Sequence, residues 1–381
     1  MTAGTLEAAS PLLALAVPWT SPDRLGSWAE AALAAGGVVL VLLVFCDLVG
    51  ATLSGGGRFG LYSGPLCRGL WTALRGIAKR WPARRDAVLD MAGPAMLVVV
   101  PACWTTLMIL GFALMILPGL DNAFVGSGGS PVPPESRHWI TSVYVSGYAF
   151  TTLGVGPFTP QSNAYRLLFT FEGAVGFATF TLAITYLLSV LSALRRRNAF
   201  ARQVHHLTGG TNDALPLLEA IGTDANLRQQ VLMNLAAGLH DIHESHLAYP
   251  VLHYFRHREP QFTMSTLAGI TADLVALARA VTPPEDVWHR AADAKAADGA
   301  ARQMLLDLSG RFLPARLLRD AEPAEPDRER FERASSAAKR DSVDLDLALE
   351  VYRNARRDWN PIVRAFRRDM LFADPPSVRA S

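Results

Sequence analysis

Long apolar runs fill the first part of this chain, and a charged, helically patterned part follows from about residue 195. Three of the apolar runs reach the roughly 20 residues that a helix needs to cross a hydrocarbon layer of about 30 Å. The first, 28–53, contains the unbroken block Val38 to Phe45 and carries Asp47 near its end. A carboxylate at mid-membrane is costly, so Asp47 is expected at an interface, paired with a loop arginine. The second, 91–120, has no charge. Pro94 and Pro101 lie near its start, where neighbouring groups can satisfy the carbonyls that a proline frees. The third, 173–194, is also uncharged, bracketed by Glu172 and by Arg195-Arg196-Arg197.

A fourth uncharged stretch, 139–165, breaks the pattern. Gly154, Gly156, Pro157 and Pro160 interrupt any helix through it. A fourth crossing would also put the arginine triplet on the wrong side of the membrane. The consistent alternative is a re-entrant element: a short helix from about His138 to Thr151, an extended glycine-bearing ribbon, and a return to the same side. Irregular backbone survives at membrane depth only when it is buried in protein or lines water, so this stretch is expected to face a pore.

The ribbon Thr152-Leu153-Gly154-Val155-Gly156 suits that place. Replacing the hydration shell of a monovalent cation takes stacked backbone carbonyls, and a hydroxyl layer adds to them. Glycines at alternate positions allow backbone conformations closed to other residues, so successive carbonyls can face one way. Thr152 offers a carbonyl and a hydroxyl together, and the short helix before it would aim its partly negative end at the ion path.

On these residues the region resembles the pore loop of the potassium-channel superfamily, in particular bacterial channels with two pore-forming helices per subunit. Thr151-Thr152-Leu153-Gly154-Val155-Gly156 stands where that family has Thr-Thr-Val-Gly-Tyr-Gly, and the likeness covers roughly 90–196. The resemblance implies an ion-binding filter at Thr152, Leu153, Gly154, Val155 and Gly156, with Thr151 and Pro157 at the pore-helix end and mouth. It also implies a hinge glycine in the inner helix, which falls at Gly176. Phe180 and Ile184 share the face of Gly176 by i, i+4 spacing and would line the cavity, and Glu172 would support the filter from behind. Two residues depart from the family: Val155 replaces an aromatic ring that braces the filter, and Pro157 replaces an acidic residue. Both bear on rigidity and selectivity more than on coordination.

Charge sets the expected topology. The connection 54–89 holds Arg58, Arg68, Arg75, Lys79, Arg80, Arg84 and Arg85 against Asp86, whereas 1–27 and 121–138 hold only Arg24 and Arg137. The positive-inside bias therefore predicts an external N-terminus and an internal C-terminal part, and the many Ala, Arg and Gly residues suggest a bacterial inner membrane. Leu66, Leu70, Trp71, Leu74 and Ile77 recur at helical spacing, so an amphipathic helix lying on anionic lipid is expected within the connection. No span carries arginines at every third position, which argues against voltage sensing by that route. Cys46, Cys67 and Cys103 lack metal-ligand spacing and read as small hydrophobes. The net charge of +2 gives no footing for nucleic acid. Residues 1–27 read as an extension without the basic start of a secretory signal.

After Arg195, apolar positions recur at helical spacing in 213–221, 226–247, 263–281, 301–313 and 343–371, with breaks at Gly209-Gly210, Pro260, Pro283-Pro284 and 321–326. This predicts an all-α cytoplasmic domain with no resemblance to a known family and no nucleotide-binding glycine motif. Its one chemical cluster is His240-Asp241-Ile242-His243-Glu244-Ser245-His246. His240, His243 and Glu244 share a helical face that could hold a metal, although histidines in a polar helix more commonly pack or hydrogen-bond. The charged stretch 327–368 reads as a solvated helix.

The expected fold is thus an all-α membrane protein: an extension at 1–27, a first helix at 28–53, a basic connection at 54–89, a pore domain at 90–196 and a helical domain at 197–381. Within the pore domain the outer helix is 91–120, the pore helix and filter 138–157 and the inner helix 166–194. The expected function is passive K⁺ conduction by a homotetramer in lipid, gated at the inner helices by the cytoplasmic domain, with no enzymatic step and no organic cofactor. The alternatives are a weakly selective monovalent cation channel and a non-conducting membrane-anchored sensor of a metal or partner.

Overall fold

The computed structural model describes residues 27–53, 60–133, 138–154, 156–321, 328–337 and 344–372. Residues 1–26 of the extension, the start of the basic connection with Arg58, Val155 of the ribbon and most of the 321–326 linker lie outside the described residues.

The described chain is helical, in the order α1 (Ser27–Leu53), α2 (Ser63–Arg80), α3 (Arg85–Asp90), α4 (Ala92–Ile116), α5 (Trp139–Phe150), α6 (Asn163–Leu207), α7 (Leu215–Ile221), α8 (Ala225–Ala248), α9 (Met264–Val281), α10 (Val287–Arg290), α11 (Ala292–Phe312), α12 (Ala315–Arg319), α13 (Arg328–Ala337), α14 (Leu345–Arg356) and α15 (Asn360–Asp369). The two-residue strands β1 (Phe124–Val125) and β2 (Thr159–Pro160) pair antiparallel, Phe124 opposite Pro160 and Val125 opposite Thr159. Local chemistry accounts for several helix starts. The side chains of Asp224, Thr263, Asp286 and Asp344 each accept a main-chain N–H in the first turn of α8, α9, α10 and α14.

The chain divides into two compact units. The first combines Met1–Val49 with Pro101–Ile184. Its interior holds Trp104, Met108, Phe112, Ile116, Val145 and Phe150, while Val39, Leu42, Leu167 and Phe177 are exposed. Apolar side chains on the outside of long apolar helices are what a hydrocarbon solvent asks for. Asp47 is fully buried, and its carboxylate accepts the indole N–H of Trp104 on α4 at 2.8 Å. A buried carboxylate calls for such a donor.

The second unit combines Gly50–Val100 with Thr185–Ser381. Four helices among the described residues are long and apolar enough to cross a membrane: α1, α4, α6 and α9. α9 is surrounded on nearly every side by α8, α11, α13, α14 and α15, and its buried run from Met264 to Ala272 makes it the core helix of this unit. The amphipathic helix expected on lipid is α2; packing within the unit takes up part of its apolar face, while Leu66, Leu70 and Leu74 are half-buried and Ile77 is exposed. Cys67, Trp71 and Ala78 are buried; the Trp71 indole donates to Asp369 at 3.3 Å, and its ring lies 5.7 Å from that of Tyr254. Arg75 adds an ion pair to Asp369 at 2.9 Å. The stretch 327–368 is likewise not a solvated helix. It forms α13, α14 and α15, which bury Phe331, Tyr352 and Phe366. Charged residues occupy one side of each helix and conceal that the other side is core.

Candidate functional site

α5 is an uncharged helix whose last turn runs straight into the ribbon. Its carbonyls would be orphaned at the C-terminus, and the ribbon's own amides satisfy them. Thr152 N–H donates to Ala149 O at 3.1 Å, and Leu153 and Gly154 N–H donate to Tyr148 O at 3.1 and 3.4 Å. Thr151 caps the turn a second way, its hydroxyl donating to Gly147 O at 2.7 Å.

These bonds determine where the carbonyls go. In a planar trans peptide the N–H and C=O point in opposite directions. Three consecutive amides turned towards α5 therefore turn the carbonyls of Thr151, Thr152 and Leu153 away from it. The backbone that permits this is unusual: φ is 56° at Thr152 and 68° at Gly154. Glycine takes the left-handed region freely, but a β-branched threonine pays about 1–2 kcal/mol for it. Strain of that kind persists where the surroundings enforce it, and it gathers at functional sites. Residues 151–154 are exposed.

Behind the ribbon, α5 is clamped to α6. Gly176 sits where a Cβ would collide with the carbonyl of Phe150 at the end of α5. α6 runs unbroken through this position, and there Gly176 allows the close approach of α5. Phe180 packs its ring 6.1 Å from that of Phe150 and remains part-exposed, as does Ile184. Glu172 is fully buried. Its Oε1 accepts the Ser146 hydroxyl at 2.5 Å, and the same hydroxyl lies 2.9 Å from the carbonyl of Ile109 on α4. The Ser146 hydroxyl on α5 therefore lies between the Glu172 carboxyl on α6 and the Ile109 carbonyl on α4. Pro157 is exposed beyond it.

The structure thus brings Thr151, Thr152, Leu153, Gly154, Gly156, Glu172, Gly176 and Phe180 into one constellation in the first unit. It does not do so for the histidine cluster. His240 and Glu244 are exposed on α8, whereas His243 is buried with Nε2 3.3 Å from Asp307. Among the described residues no group of three ligands could hold a metal. The shared helical face is real, but packing takes the middle residue inward, and burial holds the His243 imidazole below its ordinary pKa. Sequence reasoning passed over Ser146 and Tyr148. Both lie in an uncharged helix, and no spacing rule singles them out.

Residues 102–193 match the family model described as "Ion channel". A membrane protein of Bacillus subtilis (strain 168), YdjJ, is 28% identical over 201 residues, covering 52% of this chain and 57% of that protein. The chain therefore spans little more than half the length of this relative. No solved structure matches. Residues 102–193, from α4 through the ribbon into α6, are thus similar to an ion-channel family domain, and the chain is similar to a membrane protein.

Proposed function

We propose that this protein is a potassium-selective channel, four subunits surrounding one axis, with Thr152, Leu153, Gly154, Val155 and Gly156 as the filter. The observation that carries the reading is the orientation of three successive peptides, whose amides bond to α5 and whose carbonyls face the other way. Oxygens in that arrangement can replace the water around a dehydrated monovalent cation. One subunit supplies only part of a ring, and closed fourfold symmetry completes it. The exposed faces of α6 at Phe177, Phe180 and Ile184 then become cavity wall and subunit contact. K⁺ moves down its gradient through the four ribbons in the lipid bilayer. The N-terminus is outside and the second unit cytoplasmic, where it biases the inner helices between open and closed.

Rb⁺ uptake into proteoliposomes tests this. The wild-type protein takes up Rb⁺, and Gly154→Ala abolishes uptake because alanine resists φ near 68°. A wild-type protein that carries no Rb⁺ ends the reading. Equal K⁺ and Na⁺ permeabilities in the same vesicles would reduce it to a weakly selective cation channel, the outcome that Pro157 and Val155 would favour.

A further inference from the structure

One residue of α5 meets the ribbon at four places. The main-chain carbonyl of Tyr148 accepts the amides of Leu153 and Gly154 at 3.1 and 3.4 Å. Its ring lies so close to Gly156 that a Cβ there would overlap it. Its hydroxyl donates to the carbonyl of Phe158. Tyr148 therefore grips the chain both before and after position 155.

The grip is itself held rigid. Tyr148 is 8% exposed and belongs to a cluster with Ile116, Leu120, Phe124 and Val145. The rings of Tyr144 and Phe169 meet it edge-on at 5.4 and 6.2 Å. The segment that the hydroxyl holds is anchored a second time: β2 pairs with β1, and Gln161 N–H donates to Ala123 O at 2.7 Å. Leu153 and Gly154 on one side and Phe158 to Gln161 on the other are thus each tied down, with the phenol as the strut between them. A buried tyrosine hydroxyl needs a partner, and here the partner is the ribbon's own continuation.

Building on the channel reading above, we propose that Tyr148 is the positioning residue that sets how sharply this pore separates K⁺ from Na⁺, by fixing the spacing of the carbonyl rings. In the cavity-size account of selectivity, the oxygens discriminate by not closing in on a smaller ion. A strut tied to both flanks of the ribbon opposes that closure. Its hydroxyl touches no permeating ion.

The test compares full-length wild type, Tyr148→Phe and Phe169→Leu in proteoliposomes, reading Rb⁺ uptake, the K⁺/Na⁺ permeability ratio from reversal potentials, and assembly size. Tyr148→Phe removes the hydroxyl alone. It should assemble and keep Rb⁺ uptake within about threefold, while the K⁺/Na⁺ ratio falls about tenfold, the equivalent of one lost hydrogen bond. Phe169→Leu loosens the ring from behind and should lower the ratio about threefold. A wild-type ratio in Tyr148→Phe overturns the assignment and leaves the channel reading standing. If that variant fails to assemble, Phe169→Leu decides, and an unchanged ratio there overturns the assignment. A wild-type protein that carries no Rb⁺ overturns the channel reading, and this assignment with it.

Discussion

The two units are built from the same secondary structure and follow opposite solvent rules. In the first, apolar side chains such as Val39, Leu42, Leu167 and Phe177 face outward, while Asp47, Ser146 and Glu172 lie inside. In the second, α9 is the apolar centre, and the charges pair around it. Arg330 is the clearest example: its guanidinium reaches Asp213 and Asp273 at 2.5 Å and the Tyr352 hydroxyl at 2.6 Å, and Tyr352 in turn donates to Asp273 at 2.6 Å. In hydrocarbon an outward polar group has no partner, so the few polar groups turn inward and find one another. In water the apolar surface drives burial. On the proposed reading the units differ in medium, and the placement of their rare polar or apolar exceptions follows from it.

That contrast can be broken at several points. The largest effect is expected at Gly154→Ala, where a single methyl at a left-handed position eliminates Rb⁺ uptake without unfolding either unit. Arg330→Ala comes next. It removes the guanidinium that Asp213 and Asp273 share, leaving Asp273 the Tyr352 hydroxyl at 2.6 Å and Arg356 at 3.8 Å, and should cost about 3 kcal/mol, measured as a shift in the denaturation midpoint of the full-length protein in detergent. Acidification should then act on the second unit. Burial, reinforced by the Arg197 charge, holds the His246 imidazole down at about 3, and burial pushes His253 well below its ordinary value. Both bind protons less readily folded than unfolded. Stability is therefore full above about pH 6.5 and falls below it, by about 1.4 kcal/mol per pH unit for each histidine that stays neutral. Asp369, its carboxyl pushed up by burial, works in the opposite direction for one group. Melting at pH 7.5 and 5.5 reads the difference; a higher melting temperature at pH 5.5 would contradict it. The smallest effect belongs to His240→Ala, an exposed change expected to stay within about 0.5 kcal/mol, with Zn²⁺ leaving the melting temperature of wild type and variant unmoved.

Much of the first unit was legible along the chain. The limits of α1, α4 and α5 fall within a few residues of the runs 28–53, 91–120 and 138–151, because a helix in lipid must be apolar all round and no competing pattern is available. α6 was read as ending near 194 and continues to Leu207, since Arg195, Arg196 and Arg197 stop an apolar run without stopping a helix. The second unit was harder to read. α2 carried the signature of a lipid-surface helix, but Trp71 is covered by a partner almost 300 residues away in sequence, Asp369, which no local pattern announces. The same holds for Asp47, whose partner Trp104 lies on another helix.

The sequence by itself determined where the chain is apolar, where glycines and prolines stop a helix, and that a glycine-bearing ribbon follows a short uncharged helix. Those are local properties, written in side-chain hydrophobicity and in the φ angles each residue tolerates. Only the tertiary structure decided which side chains hold the ribbon. The Tyr148 hydroxyl on Phe158, the Ser146 hydroxyl on Glu172, and the Gly176 contact with Phe150 each need two segments brought together. Hydrogen-bond and contact partners are matters of distance, and distance between segments exists only after the chain has folded.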